Sequence, residues 1–205
     1  MRAFRFIVCV MVVAAAAAFG PSRLPSAVSP AVKAAEGYHR SADDRSGAFV
    51  LDVAMDGPTW RNNDGSNPFY PLFTGALSRG LTFIVSGKIY RGFTLHDGGD
   101  FNASGNPTGP ETAGAIGTWV CRGAFNLDFS QIVAGEAPHV TSTQVFTFDG
   151  GHTIVSEGPE GGATVRRALI GGTGRYRNAG GEVSETPIGV NTSGLFNVRF
   201  RFDVD

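Results

Sequence analysis

The last segment of the chain limits its fold most sharply. Phe196, Val198, Phe200, Phe202 and Val204 occupy alternate positions, with Asn197, Arg199, Arg201 and Asp203 between them. A strand sorts this pattern into one apolar and one polar face, because successive side chains point to opposite sides. A helix would scatter the same residues around its cylinder. The C-terminus is therefore expected to be a half-buried strand, and its apolar row needs a further apolar surface to pack against.

The same period recurs upstream. Phe49, Leu51, Val53 and Met55 form one row; Leu81, Phe83, Val85 and Ile89 form another. Trp119, Cys121, Phe125, Leu127 and Phe129 follow, then Gln144, Phe146 and Phe148, with shorter runs at 153–157 and 165–170. Asp149-Gly150-Gly151 and Glu160-Gly161-Gly162 mark turns between them, since glycine supplies the positive φ that tight turns require. Two stretches, 57–71 and 97–114, are long and irregular. Helical periodicity is nearly absent, and seven or eight short strands with turn signals indicate a sandwich or a closed barrel. The 29 glycines fit turns and barrel corners rather than disorder, because 42% of the chain is hydrophobic.

The N-terminus predicts export. Arg2 and Arg5 precede an apolar run, Phe6 to Phe19, which is shorter than the about 20 residues that span a bilayer. We read residues 1–35 as a signal peptide with its cleavage region, 36–46 as a polar lead-in, and 47–205 as a single domain. Loss of Arg2, Arg5, Arg23 and Lys33 from the 17 basic residues leaves 13 against 18 acidic ones, a net charge of −5. A mildly acidic exported domain has no electrostatic reason to seek nucleic acid, or to stay on an anionic membrane once its signal is removed. The expected location is extracellular, or periplasmic in a cell with two membranes. Cys9 leaves with the signal run, so Cys121 has no partner for an intramolecular disulfide. A lone thiol among Ala, Gly and Phe reads as a small buried hydrophobe.

One glycine-rich segment, Gly171-Gly172-Thr173-Gly174-Arg175-Tyr176-Arg177-Asn178-Ala179-Gly180-Gly181, looks like a phosphate loop. It lacks the Lys-Ser/Thr that such a loop carries into a helix, and its second glycine pair disfavours a helix by about 1 kcal/mol per residue. A turn or bulge between strands is expected instead, with Tyr176 against the barrel. His96-Asp97-Gly98-Gly99-Asp100 brings one imidazole and two carboxylates together, short of the converging set a zinc or calcium site needs. No metal and no cofactor are expected.

Three blocks then carry a family resemblance: Gly117-Thr118-Trp119-Val120-Cys121-Arg122-Gly123; Thr141 to Phe148 with its turn and Thr153 to Gly158; and the glycine segment from Ile170 to Gly181. Together with the Phe-rich last strand, they resemble the allene oxide cyclase and dirigent superfamily. Gly180 stands where dirigent proteins usually carry arginine. The resemblance implies an eight-stranded antiparallel barrel with an apolar interior cavity, often assembled as a trimer. In that superfamily the cavity shapes an apolar ligand, directing radical coupling or ring closure. No catalytic residue of either family matches this chain motif by motif, so the catalytic residues are left unassigned.

In such a barrel one face of each strand lines the interior. The candidate lining for an apolar small molecule is Trp119, Cys121, Phe125, Phe146 and Glu157. Glu157, on the face of Thr153 and Val155, is either a buried acid or one partner in a rim salt bridge with Arg122 or Arg166. The expected function is binding of an apolar small molecule, with steering of its cyclisation or coupling as the extension the resemblance implies. The alternatives are a cyclase or isomerase of a lipid or polyketide-like intermediate using Glu157 or Cys121, and a structural or adhesive protein whose barrel is solid.

Overall fold

The C-terminal alternation forms a strand, β9 (Phe196–Val204), paired antiparallel on both sides, with β1 (Gly47–Met55) and β8 (Gly181–Val190). The computed structural model describes residues 47–70, 74–95, 114–161, 163–191 and 193–205. The leader and lead-in, and the His96 to Asp100 cluster, lie outside these residues.

From β8 the sheet continues through β7 (Val165–Gly172), β6 (Thr153–Glu160), β5 (Val140–Phe148), β4 (Gly117–Phe125) and β3 (Thr82–Arg91). β3 then pairs with β1, Leu51 opposite Arg91 through Met55 opposite Gly87, so the sheet closes. The result is the expected eight-stranded antiparallel barrel. A two-residue strand, β2 (Arg61–Asn62), adds to the outer edge of β3. Closure removes the unpaired edges that an open sheet of this size would expose.

The interior row of β9 packs as the sequence predicts. Phe200 and Phe202 are fully buried, and Phe146 of β5 meets both edge-on at 5.0 and 5.1 Å between ring centroids. This is the arrangement that aromatic quadrupoles favour. At one end of the barrel Trp60 stacks on Phe83 at 4.3 Å and meets Phe69 edge-on at 4.4 Å, while its Nε1 donates to Asn62 Oδ1 at 2.9 Å.

Two sequence expectations shift. The run through Leu127 and Phe129 does not stay in one strand: β4 ends at Phe125 and a short helix, α1 (Phe129–Val133), begins at Phe129. Asp128 and Gln131 close a capping box there, each side chain serving the other's backbone N–H, which stabilises a helix start over continued extension. The glycine segment is a wider connection than a tight turn, with a single 3-10 turn (Gly174–Tyr176) between β7 and β8. Tyr176 packs on the barrel end against Phe49 and Phe148. Gly174 has φ +60°, and a Cβ there would sit 2.1 Å from His152 Nδ1, so this glycine is needed for close approach.

Outside the barrel wall, β1 is covered rather than solvated. Asp52 points outward yet is fully buried. Arg199 of β9 grips it with two hydrogen bonds, Nε to Oδ1 at 2.8 Å and Nη2 to Oδ2 at 3.1 Å. The backbone N–H of Leu95 donates to Asp52 Oδ2 at 2.9 Å, and Arg199 donates to the Leu95 carbonyl at 3.3 Å. Ala54, Tyr90 and Leu95 form a small apolar cluster beside this clamp.

Candidate functional site

Interior positions on β4, β5 and β6 stack as cross-strand rows, because the register is uninterrupted from β4 to β6. Trp119, Phe146 and Ile154 make one row. The next is Cys121, Gln144 and Ser156, and the one after is Gly123, Ser142 and Gly158. Apolar side chains thus give way to polar ones between one interior row and the next. The opposite wall, on β1, β3 and β9, stays apolar through Leu51, Val53, Val85, Ile89, Val198 and Phe200.

Arg167 of β7 reaches into this polar patch. Its side chain is 0% exposed. Nε donates to Ser156 Oγ at 3.3 Å; Nη1 donates to the Gly158 and Pro159 carbonyls at 3.1 and 2.9 Å and to Glu160 Oε1 at 3.4 Å. Nη2 donates to the Ser142 carbonyl and Oγ, both at 2.9 Å. Gly158 makes room for it: at φ +155° a Cβ would lie 3.1–3.3 Å from Arg167 Cα, Cβ and Cγ. A buried guanidinium is tolerable only with its donors met, and here they are.

Two carboxylates face this one cation. Glu160 lies 3.4 Å from Arg167 Nη1 and Glu185 lies 3.7 Å from Nε, with 12% and 9% of their side chains exposed. Glu160 Oε1 also accepts from Ser142 Oγ, from Gln144 Nε2 at 2.6 Å and from Cys121 Sγ at 3.1 Å. Gln144 Nε2 bridges across to Glu185 Oε2 at 2.9 Å. Burial, and then the Glu160 charge, push the Glu185 carboxyl up to about 8, against the opposing pull of Arg167 and Gln144. That rise favours the protonated form of Glu185 at neutral pH. Burial and the neighbouring Glu160 carboxylate raise the Cys121 thiol well above its ordinary value. As a neutral S–H donor it is no nucleophile.

Two polar atoms facing the interior have no partner among the described residues: Trp119 Nε1 and Gln144 Oε1. Each such group, buried and unpaired, costs about 1–3 kcal/mol.

Of the residues singled out from sequence, Trp119, Cys121, Phe125 and Phe146 all lie on the interior face, at 1%, 0%, 5% and 0% exposure. They do not form one apolar surface, because Cys121 sits in the polar row. Glu157 is elsewhere. It is exposed on the outer face, between Thr143 of β5 and Ala168 of β7. Arg166, one of its two proposed rim partners, pairs with Glu182 at 3.6 Å instead. The interior face of β6 carries Ile154, Ser156 and Glu160, so its acid lies three residues further on.

Arg167, Glu160 and Glu185 had weaker signals in the sequence. Arg166-Arg167 is ambiguous in phase, and the β8 segment is too polar to read as a barrel strand. Gln144 did have a signal, since it begins the alternating row Gln144, Phe146, Phe148. Among the described residues no group of three His, Cys, Asp or Glu side chains could hold a metal ion.

No family model matches this chain, and no curated protein matches it. Among solved structures it is similar to a pyocyanin demethylase at 17% identity and TM-score 0.47, covering 78% of this chain and all of that one. It is also similar to two pterocarpan synthase dirigent proteins, both at TM-score 0.48. One is 15% identical, covering 77% of this chain and 86% of the other; the second is 12% identical, covering 77% and 92%. The barrel itself is established by its strand pairing.

Proposed function

We propose that this is an exported barrel whose interior binds a small, largely apolar molecule carrying a polar group. One observation carries the reading: buried, unpartnered hydrogen-bonding atoms sit where an aromatic row meets a charged cluster inside a closed barrel. A wall that is apolar on one side with a few convergent polar groups is the usual make-up of a ligand site. The leader-like N-terminus supports export. The test uses the uncharged polarity-sensitive dye prodan. Saturable binding at one site, weakened at least fivefold by Trp119→Ala, is expected; the absence of saturable binding would leave a solid structural barrel as the better reading.

The protonated Glu185 favours a second reading, in which the bound molecule is a substrate and the barrel a cyclase or isomerase. A carboxylic acid held neutral beside a fixed cation can give its proton to a bound oxygen or carbon. Epoxides and other strained rings are the compounds to screen. Turnover that survives Glu185→Gln would reject this role for Glu185.

A further inference from the structure

We infer that the barrel interior selects uncharged molecules offering one hydrogen-bond acceptor and one donor, with carboxamides and lactams the simplest class, and turns carboxylates away. This inference rests on the binding function proposed above.

The geometry fixes the sign of both unpartnered atoms. Indole Nε1 can only donate. The Gln144 amide could in principle be turned either way, but its Nε2 lies 2.6 Å from Glu160 and 2.9 Å from Glu185, and an N–H₂ can donate to both carboxyl groups at once. Its Oε1 is therefore the free end, and it accepts. Trp119 stands opposite Phe146 and Cys121 opposite Gln144, so Trp119 and Gln144 are diagonal neighbours on adjacent strands. Diagonal neighbours are about 7–8 Å apart at their backbones, within the span of one small molecule for side chains of this length. A carboxamide offers its carbonyl to Trp119 and its N–H to Gln144.

A carboxylate meets only one of the two needs, since it can accept from Trp119. It has no N–H for Gln144, and the local cation is already committed: all three Arg167 nitrogens are occupied by Ser156, Gly158, Pro159, Glu160 and Ser142. It would also enter beside the Glu160 charge in a region of low dielectric, where like charges repel strongly.

Displacement of bound prodan from the purified protein at neutral pH, by naphthalene, naphthalene-carboxamide and naphthalene-carboxylate, tests this. The carboxamide should displace the dye at least tenfold more effectively than naphthalene, and the carboxylate should be the weakest of the three. Trp119→Phe and Gln144→Met should each reduce the carboxamide's advantage over naphthalene to threefold or less, while naphthalene still displaces the dye. A carboxylate equal to or better than the carboxamide would overturn the selectivity while leaving the binding function intact. An advantage that persists in both variants would overturn the assignment to Trp119 and Gln144. The ranking in the unaltered protein decides the charge selectivity even if a variant fails to fold. Failure of prodan itself to bind would instead remove the binding function.

Discussion

The barrel carries two buried ion-pair constellations, one on each side of its wall, and they differ in stoichiometry. On the outside, one carboxylate meets one guanidinium in a two-point grip: Asp52 and Arg199, completed by the backbone of Leu95. Every strong group there is matched, and what it holds is chain, the segment that leaves β3 and lies over β1. On the inside, Arg167 faces both Glu160 and Glu185, so one acid is in surplus and stays protonated. Matched charge fastens backbone to backbone. Mismatched charge, beside polar atoms without partners, is a chemical resource and costs stability. This contrast points to the interior as the functional region and the outer pair as structure.

Removing each cation gives the largest test of that contrast. Arg167→Met leaves two carboxyl groups facing each other in the interior without their cation. We expect a loss of about 3–5 kcal/mol in denaturant unfolding at pH 7, the range for breaking a buried pair. Arg199→Met should cost less, about 1–3 kcal/mol. Arg199 is a quarter exposed, and Asp52 keeps the Leu95 N–H. If the outer variant is the more damaging of the two, the assignment of structure and resource is reversed.

The surplus acid makes a finer prediction through pH. The folded Glu185 titrates at about 8 against an ordinary value of 4.5, so the folded state binds more protons than the unfolded state between those values. Its favourable contribution is complete below about 4.5 and is lost as pH rises toward 8. Unfolding free energy should therefore fall across about pH 5 to 8, by at most about 1.4 kcal/mol per unit. Glu185→Gln keeps the shape and should flatten the curve. Subtracting the two curves removes contributions common to both, including that of His139, whose pKa is lowered by burial and which acts in the opposite direction. Parallel curves would mean that Glu185 is ionised in the fold and that the interior holds no surplus proton.

The architecture was readable because nearly every strand has one face richer in apolar residues, and Phe196 to Val204 shows it almost without exception. The site was harder to read for the same reason. Alternation reveals which face is apolar, and it misleads where the interior is polar. On β7 the buried face carries Arg167 while Ile170 is 54% exposed, so hydropathy alone assigns the phase poorly. On β8 the buried Glu185 sits between Ser184 and Thr186, and nothing local distinguishes it from a solvated strand. Pairing of the consecutive strands β6, β7 and β8, with Arg167 on the middle one, brings Glu185 and Arg167 beside Glu160.

Glu157 gives the smallest and sharpest expectation, because the run from Thr153 to Glu157 contains both possible phases. Ile154 and Val155 are adjacent apolar residues, so either face of β6 could have been the inner one. The Val155/Ser156 irregularity against β7 and the burial of Ser156 settle it, and place Glu157 in solvent. Glu157→Gln should therefore change stability by no more than about 0.5 kcal/mol, as surface substitutions do, and leave prodan binding within twofold. Glu160→Gln, three residues along and on the other face, replaces an oxygen that accepts from Cys121, Ser142, Gln144 and Arg167. It should alter both stability and binding. Equal effects of the two substitutions would mean that the phase of β6, and with it the polar wall, is drawn wrongly.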